Sequence, residues 1–271
     1  MLHSTDHGPI TRVHLARSAF GRPLYTVEAY LVDGLLIDTG CPATASELVE
    51  WCQGRGIRQV VNTHHHEDHA GGDGVLQKAL GLPVAAPPGA VPILADFPRL
   101  QLYRRIIWGQ PDGVAVEPLG DVVETDRYRF EVVPTPGHCP DHVCLFEREQ
   151  GWLFSGDLFI HERVRYLRVD EDAQRTLESL RNVLALRPRL LLCSHAGVVK
   201  DACGAIERKI AYLEGLAVRA RTLQRGGFSL REATDQLLGP EDMMARFTRG
   251  HFAKINVIRS LLGERSMNDS V

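Results

Sequence analysis

Thr63-His64-His65-His66-Glu67-Asp68-His69-Ala70-Gly71-Gly72 is the stretch from which the rest of the chain can be read. It follows the apolar pair Val60-Val61 and precedes Gly74-Val75-Leu76-Gln77-Lys78-Ala79-Leu80, so it is expected to be the turn between a strand end and a helix start. An extended run would put His64 and His66 on one side and His65 on the other. Asp68 and His69 then fall where the chain bends into the helix, offering a carboxylate and an imidazole from a second direction. Imidazole and carboxylate without thiolate suit zinc, iron or manganese. An exposed polar loop or a tag remnant would also explain a histidine tract, but this one is internal and matching groups recur downstream.

Three later apolar runs each end in such a group beside glycine or proline. Phe130 to Val133 leads into Pro134-Thr135-Pro136-Gly137-His138, Trp152-Leu153-Phe154 into Ser155-Gly156-Asp157, and Leu190 to Cys193 into Ser194-His195-Ala196-Gly197. Sharp turns at these points would gather the ligands at one edge of the sheets. Upstream, the runs around Val13-His14-Leu15, Leu24 to Val32 and Leu35 to Ile37 are separated by Gly21-Arg22-Pro23 and by Asp33-Gly34, the second pair a hairpin signal. Asp38 follows as a turn former, or as a partner that orients a metal-binding histidine.

Helices are expected over Ala43 to Cys52, with Leu48, Val49 and Trp51 inward, over about Gly72 to Leu80, and over Glu171 to Leu186, with Leu177, Leu180 and Leu184 on one face. Val84-Ala85-Ala86 is a short strand. Pro87 to Gly113, with Phe97, Tyr103, Ile107 and Trp108, is either a lid or pocket wall or a packed connector, with equal standing. After Gly197 the pattern is helical only. Ile206, Ile210, Leu213, Ala217 and Ala220 line a long helix that stops near Gly226-Gly227. Ser229 and Glu232 form a capping-box pattern for Leu230 to Leu238, which Gly239-Pro240 ends. A last helix is expected over His251 to Leu262, with a loose end from Glu264. This divides the chain into a catalytic domain, 1–200, and a helical extension packed on it, 201–271.

A chain of 271 residues with 44% hydrophobic and 24% charged residues has ordinary globular composition, and a net charge of -3 gives no general attraction to nucleic acid or anionic membrane. Cys41, Cys52, Cys139, Cys144, Cys193 and Cys203 form no CxxC pair and lie mostly in or beside apolar segments, which points to buried thiols rather than a disulfide frame. Met1 to His7 lacks the basic-then-apolar order of a signal peptide and no apolar run reaches spanning length, so the expectation is a cytoplasmic protein.

His64, His66, Asp68, His69, His138, Asp157 and His195 therefore supply five imidazoles and two carboxylates from four strand ends. In this HxHxDH motif, later histidine, Ser-Gly-Asp and last histidine, the sequence resembles the metallo-β-lactamase-fold hydrolase superfamily over about residues 10 to 200. The resemblance implies an α/β fold, a four-layer αβ/βα sandwich, here with a C-terminal helical extension. It implies that His64, His66 and His138 hold one divalent ion and Asp68, His69 and His195 a second, with Asp157 bridging them and Asp38 matching the family's buried aspartate. Zinc is the first expectation, with iron or manganese as alternatives. Two cations roughly 3.5 to 4 Å apart lower the pKa of a shared water to about 7, so the expected chemistry is attack by a bridging hydroxide on a small ester, thioester or lactone. Asp68 and Asp157 are the expected catalytic carboxylates, with Asp68 or a metal-bound water helping the leaving group take a proton.

The full ligand set and the helical extension are similar to glyoxalase II and related small-ester hydrolases. Arg249 to Lys254 carries no convincing match to that enzyme's glutathione-binding motif, and the chain lacks the basic arm of ribonuclease Z-like enzymes. Arg163, Arg165 and Arg168, with Tyr166, follow Asp157 and would favour an anionic small-molecule substrate if they face the cleft; a solvated basic surface is the simpler reading. Two alternatives stand beside the hydrolase. One resembles a persulfide dioxygenase, with a single iron on His64, His138 and Asp157. The other is a metal-stabilised binding protein with a homodimer interface on the helices after residue 200.

Overall fold

The computed structural model describes residues 1–19 and 22–264. Gly21, read as part of a turn, and the residues after Glu264, read as a loose end, lie outside them. A seven-stranded sheet runs in the order β1 (Leu2–His7), β2 (Ile10–Ala19), β3 (Arg22–Val32), β4 (Leu35–Ile37), β5 (Gln59–Val61), β6 (Val84–Ala86) and β7 (Glu117–Pro118). The second sheet contains β8 (Val122–Glu124), β9 (Arg129–Pro134), β10 (Val143–Glu147), β11 (Trp152–Gly156), β13 (Leu190–Cys193) and β14 (Gly197–Val199), ordered β14-β13-β11-β10-β9-β8. A two-stranded ribbon pairs β12 (Leu167–Arg168) with β15 (Phe252–Ala253). The helices are α1 (Ala45–Cys52), α2 (Asp73–Leu80), α3 (Val91–Ala95), α4 (Leu102–Ile107), α5 (Ala173–Ala185), α6 (Ala202–Arg225), α7 (Leu230–Leu238), α8 (Met243–Phe247) and α9 (Lys254–Leu262).

Strand alternation builds the layers. In β4, Leu35 and Ile37 face the second sheet while Leu36 faces the α1 and α2 side. Likewise Leu145 and Phe154 point between the sheets, and Cys144, Phe146 and Leu153 point toward α5 and α6. Strands apolar on both faces must be covered on both faces, and three successive cores result: helices on sheet, sheet on sheet, sheet on helices. That is the expected four-layer sandwich.

The connections decide where the loops meet. Asp33 (φ 47°) and Gly34 (φ 80°) close the β3–β4 hairpin with the positive dihedrals a two-residue turn needs. Beyond it the first sheet becomes parallel, with β4–β5 joined through α1 and β5–β6 through α2, and in the second sheet β11 and β13 are parallel through α5. The carboxyl ends of β4, β5, β11 and β13 thus feed loops at one edge of the sandwich. Backbone hydrogen bonds between the sheets tie that edge together, Val143 N to Thr63 O at 3.0 Å and Glu28 N to Ser194 O at 2.8 Å.

Several expected boundaries shift for identifiable reasons. The first helix is a 3-10 turn, Pro42–Thr44, before α1, and within it Leu48 is buried while Val49 and Trp51 are only partly so. Helix α5 starts after Glu171 because the Asp172 carboxylate caps the amides of Gln174 and Arg175. The last helix starts at Lys254, since Phe252 and Ala253 pair with β12 instead. Polar β1 shows no apolar alternation because it is an exposed edge strand, held by pairing to β2. The capping box at Ser229 and Glu232 is present. Helix α6 buries Ile206, Ile210, Leu213, Ala217 and Ala220, the first four in the core that also holds Leu153 and Cys193 of the second sheet. Cys203 is partly exposed and the other five thiols are buried, all free.

Candidate metal centre

Four strand ends deliver the predicted donors to one place. The β5–α2 loop carries His64, His66, Asp68 and His69, the β9–β10 loop His138, the end of β11 Asp157, and the β13–β14 turn His195. The histidine stretch is not a strand, yet the expected alternation survives: His64 and His66 are buried facing the site, and His65 turns away to Asp141, Nδ1 to Oδ1 2.8 Å.

Two groups of donor atoms converge. His66 Nδ1 lies 2.8 Å from both His64 Nε2 and His138 Nε2. In the second group, Asp68 Oδ2 is 3.8 Å from the Nε2 atoms of both His69 and His195. Asp157 faces both groups: Oδ1 is 3.3 Å from His69 Nε2 and 3.1 Å from His195 Nε2, while Oδ2 is 3.3 Å from His138 Nε2. His69 Nε2 and Asp157 Oδ1 are buried with no hydrogen-bond partner, a costly arrangement that a cation between them would satisfy. Nitrogen and carboxylate donors in this number fit divalent zinc, iron or manganese.

The electrostatics differ across the site. Burial holds His64 and His66 well below the usual imidazole range, so their lone pairs are free at neutral pH. Burial opposes the charge on His69, but Asp157, Asp38 and Asp68 together lift it well above that range. Burial also works against ionised Asp157, and His195, His69 and His138 overcome it. A divalent cation placed between these groups would supply positive charge beside the same carboxylate.

The supporting groups are built from neighbouring turns. Asp38 accepts from Thr63 N at 2.8 Å through Oδ1 and faces His69 Nδ1 at 2.7 Å through Oδ2, leaving His69 Nε2 toward the site. Its backbone is left-handed (φ 62°), a conformation that aspartate tolerates better than most residues. Glu171 Oε2 faces His138 Nδ1 at 3.3 Å. A bulge in the β11–β13 pairing precedes Asp157, and Gly156 (φ 45°) is required there because a Cβ would stand 2.7 Å from His142 Nε2.

His142, Asp141 and Tyr25 escaped the sequence reading. His142 accepts from the Asp157 amide at 3.0 Å; its signal, an Asp-His pair three residues past His138, resembles an ordinary turn. Tyr25 donates to Asp68 Oδ2 at 2.6 Å and lies 3.1 Å from His195 Nε2; inside an apolar strand run it reads as core. Burial, then the Asp68 and Asp157 charges, push the Tyr25 phenol well above its ordinary range and keep it a donor.

His66, Asp68, His138, Asp157 and His195 form the floor of a cleft of about 730 Å³ whose walls include Tyr103, Ile107 and Trp108, so the second half of the 87–113 segment is a pocket wall. Its first half is a packed connector, with Leu94 and Phe97 against Ala70 and Ala86. Arg163 and Arg165 are exposed at the cleft, whereas Arg168 is buried, bound to Asp170, and has Nη1 3.4 Å from His66 Nδ1.

The family model described as Metallo-beta-lactamase superfamily matches residues 23–195. The chain belongs to the metallo-beta-lactamase superfamily. It is 28% identical over 186 residues to lactamase-like protein nscB of Trichophyton rubrum, covering 67% of this chain and 51% of that one. It is 32% identical over 157 residues to a hydroxyacylglutathione hydrolase of Thiobacillus denitrificans, covering 58% of this chain and 54% of the relative. The chain thus spans about half the length of the curated relatives it matches. A beta-lactamase domain protein from Burkholderia ambifaria shares the fold at TM-score 0.73 and 18% identity, over 96% of this chain and 87% of that one. TTHA1623, solved in a di-iron-bound form, matches at TM-score 0.55 and 28% identity, over 68% of this chain and 94% of its own. Among the described residues, no helix of this superfamily member is long and apolar enough to cross a membrane.

Proposed function

We propose that this protein is a dinuclear metal-dependent hydrolase of small esters, thioesters or lactones. His64, His66 and His138 would hold one ion, Asp68, His69 and His195 the other, and Asp157 both. The observation that carries the reading is the Asp157 carboxylate, with one oxygen toward His69 and His195 and the other toward His138. Relatives named hydroxyacylglutathione hydrolase support acyl transfer to water. The donor set accepts either zinc or iron.

Bound divalent ions supply an activated water and a Lewis acid for the scissile carbonyl. The chain supplies the rest. Asp38 fixes the His69 ring. His142 holds the Asp157 amide and with it the direction of the carboxylate. Asp68 borders the cleft and carries the Tyr25 hydrogen bond on Oδ2, so Asp68 is the group set to pass a proton to the leaving atom. The apolar walls exclude bulk water from the scissile bond.

The runner-up is a mononuclear iron oxygenase on His64, His138 and Asp157, three donors whose ligand atoms lie within 4.8 Å of one another. It gives Asp68, His69 and His195 no task. Hydrolysis of an ester, thioester and lactone panel, run beside oxygen uptake on a persulfide, separates the two. Turnover on the panel without oxygen uptake supports the hydrolase, and oxygen uptake without hydrolysis overturns it.

A further inference from the structure

The cleft above the metal donors is unusual in how its charges are disposed. Three of the five arginine and lysine side chains that line it are already committed, and the other two, Arg163 and Arg165, stand exposed at its rim. Arg104 is paired through two nitrogens with the Glu67 carboxylate. Arg168 is paired in the same way with Asp170. Lys209 Nζ donates to the carbonyls of Leu158 and Phe159. The apolar part of the wall comes from three parts of the chain: Ile107 and Trp108 from the α4 region, Val164 from the loop after Asp157, and Leu213, Phe247 and Phe252 from the helical C-terminal region. At the rim, Phe247 is 53% exposed and Met244 44%, both lining the cleft. Large apolar side chains left in water beside a cavity are a standing gain for whatever apolar group covers them.

We propose that this cleft binds the uncharged apolar acyl or aryl group of an ester or thioester, with Ile107, Val164, Leu213 and Phe247 selecting for its length. The inference deepens the hydrolase reading and rests on it for the scissile bond alone, since the apolar site exists whatever the reaction. About 730 Å³ lies in the ordinary range for a ligand pocket, and its floor carries His66, Asp68, His138, Asp157 and His195. A carboxylate held within the apolar part of the wall, short of Arg163 and Arg165 at the rim, would lose hydration without gaining a partner.

Two measurements on the metal-loaded full chain test this. The first is binding of straight-chain alcohols from butanol to decanol by calorimetry, against carboxylates of the same lengths. The second is kcat/KM for esters of saturated acids over the same lengths, against their ω-carboxylate counterparts. Burial of about 0.8 kcal/mol per methylene corresponds to a factor of about four, so affinity and kcat/KM are expected to rise about four-fold per added carbon until the cleft is filled. The ω-carboxylates are expected to lag by about ten-fold or more. Phe247→Ser, at an exposed position, and Leu213→Trp, inside the cleft, are expected to flatten both length series. Length-independent binding, or carboxylates that equal or exceed the neutral compounds, overturns the inference. Length-dependent alcohol binding without turnover of any ester sustains the apolar site and counts against the hydrolase reading instead.

Discussion

Asp38 Oδ2 lies 2.7 Å from His69 Nδ1, and both side chains are almost fully buried. The same carboxylate accepts from the amide and hydroxyl of Thr63, the residue before the first histidine of the β5–α2 loop. One aspartate at the end of β4 therefore sets both the start of that loop and the ring of its last histidine. Asp38→Asn keeps the shape but removes the charge that favours a donating Nδ1. Affinity for one of the two ions is expected to fall by about 10- to 100-fold, the usual consequence of losing such a partner. Competition with a graded series of chelators reads this directly, and a variant that holds both ions as firmly as the parent would disprove the role.

Tyr25 was hidden in an apolar strand run, yet its hydroxyl reaches Asp68 Oδ2 at 2.6 Å. A hydrogen bond to a charged group contributes roughly 1.5–3 kcal/mol. Tyr25→Phe is therefore expected to lower kcat/KM by about ten-fold or more and to loosen the ion held by Asp68. Steady-state kinetics with metal content after dialysis checks both. Unchanged values in each would remove Tyr25 from the site.

How much was legible follows from what kind of signal each group gives. His64, His66, Asp68, His69, His138, Asp157 and His195 were legible because titratable residues at strand ends beside glycine and proline interrupt an otherwise apolar pattern. The sandwich was legible only through the resemblance that the ligand motifs carry, and the burial of β4, β10 and β11 on both faces accords with it. Tyr25 and His142 were not, because their roles depend on a partner 43 residues away for the first and 15 for the second. Arg168 was grouped with Arg163 and Arg165 by proximity in sequence, and the β12–β15 ribbon separates them by turning only Arg168 inward. The short helix α8 and the strand β15 are too brief to carry a periodicity.

Asp73 at the start of α2 is fully buried, and burial pushes its carboxyl up to about 8 although Thr39 and Asn62 donate to it. The unfolded value is about 4, so between about pH 4 and about pH 8 the folded chain holds a proton that the unfolded chain has released. This contribution to stability falls as pH rises through that window and is lost above it. Urea denaturation is expected to show the parent losing stability relative to Asp73→Asn from about pH 5 to about pH 8. A difference that is flat with pH would show that Asp73 is ionised in the fold.

Leu180 on α5 is fully buried among Leu153, Leu177, Ile206 and Leu213. Leu180→Ala removes three carbons from the core between the second sheet and the C-terminal helices. A loss of about 2–5 kcal/mol is expected, read from the denaturation midpoint at unchanged slope. A loss below about 1 kcal/mol would mean that this core is not continuous.

Asp157 is the one carboxylate proposed to join two groups of donors into a single centre for two ions. Elemental analysis of metal per chain, on the full chain and on Asp157→Ala purified alongside it, measures this. About two zinc, iron or manganese ions per parent chain, with no more than about one in the variant, is the predicted result. A parent chain that takes up a single ion, or a variant that keeps both, would contradict it.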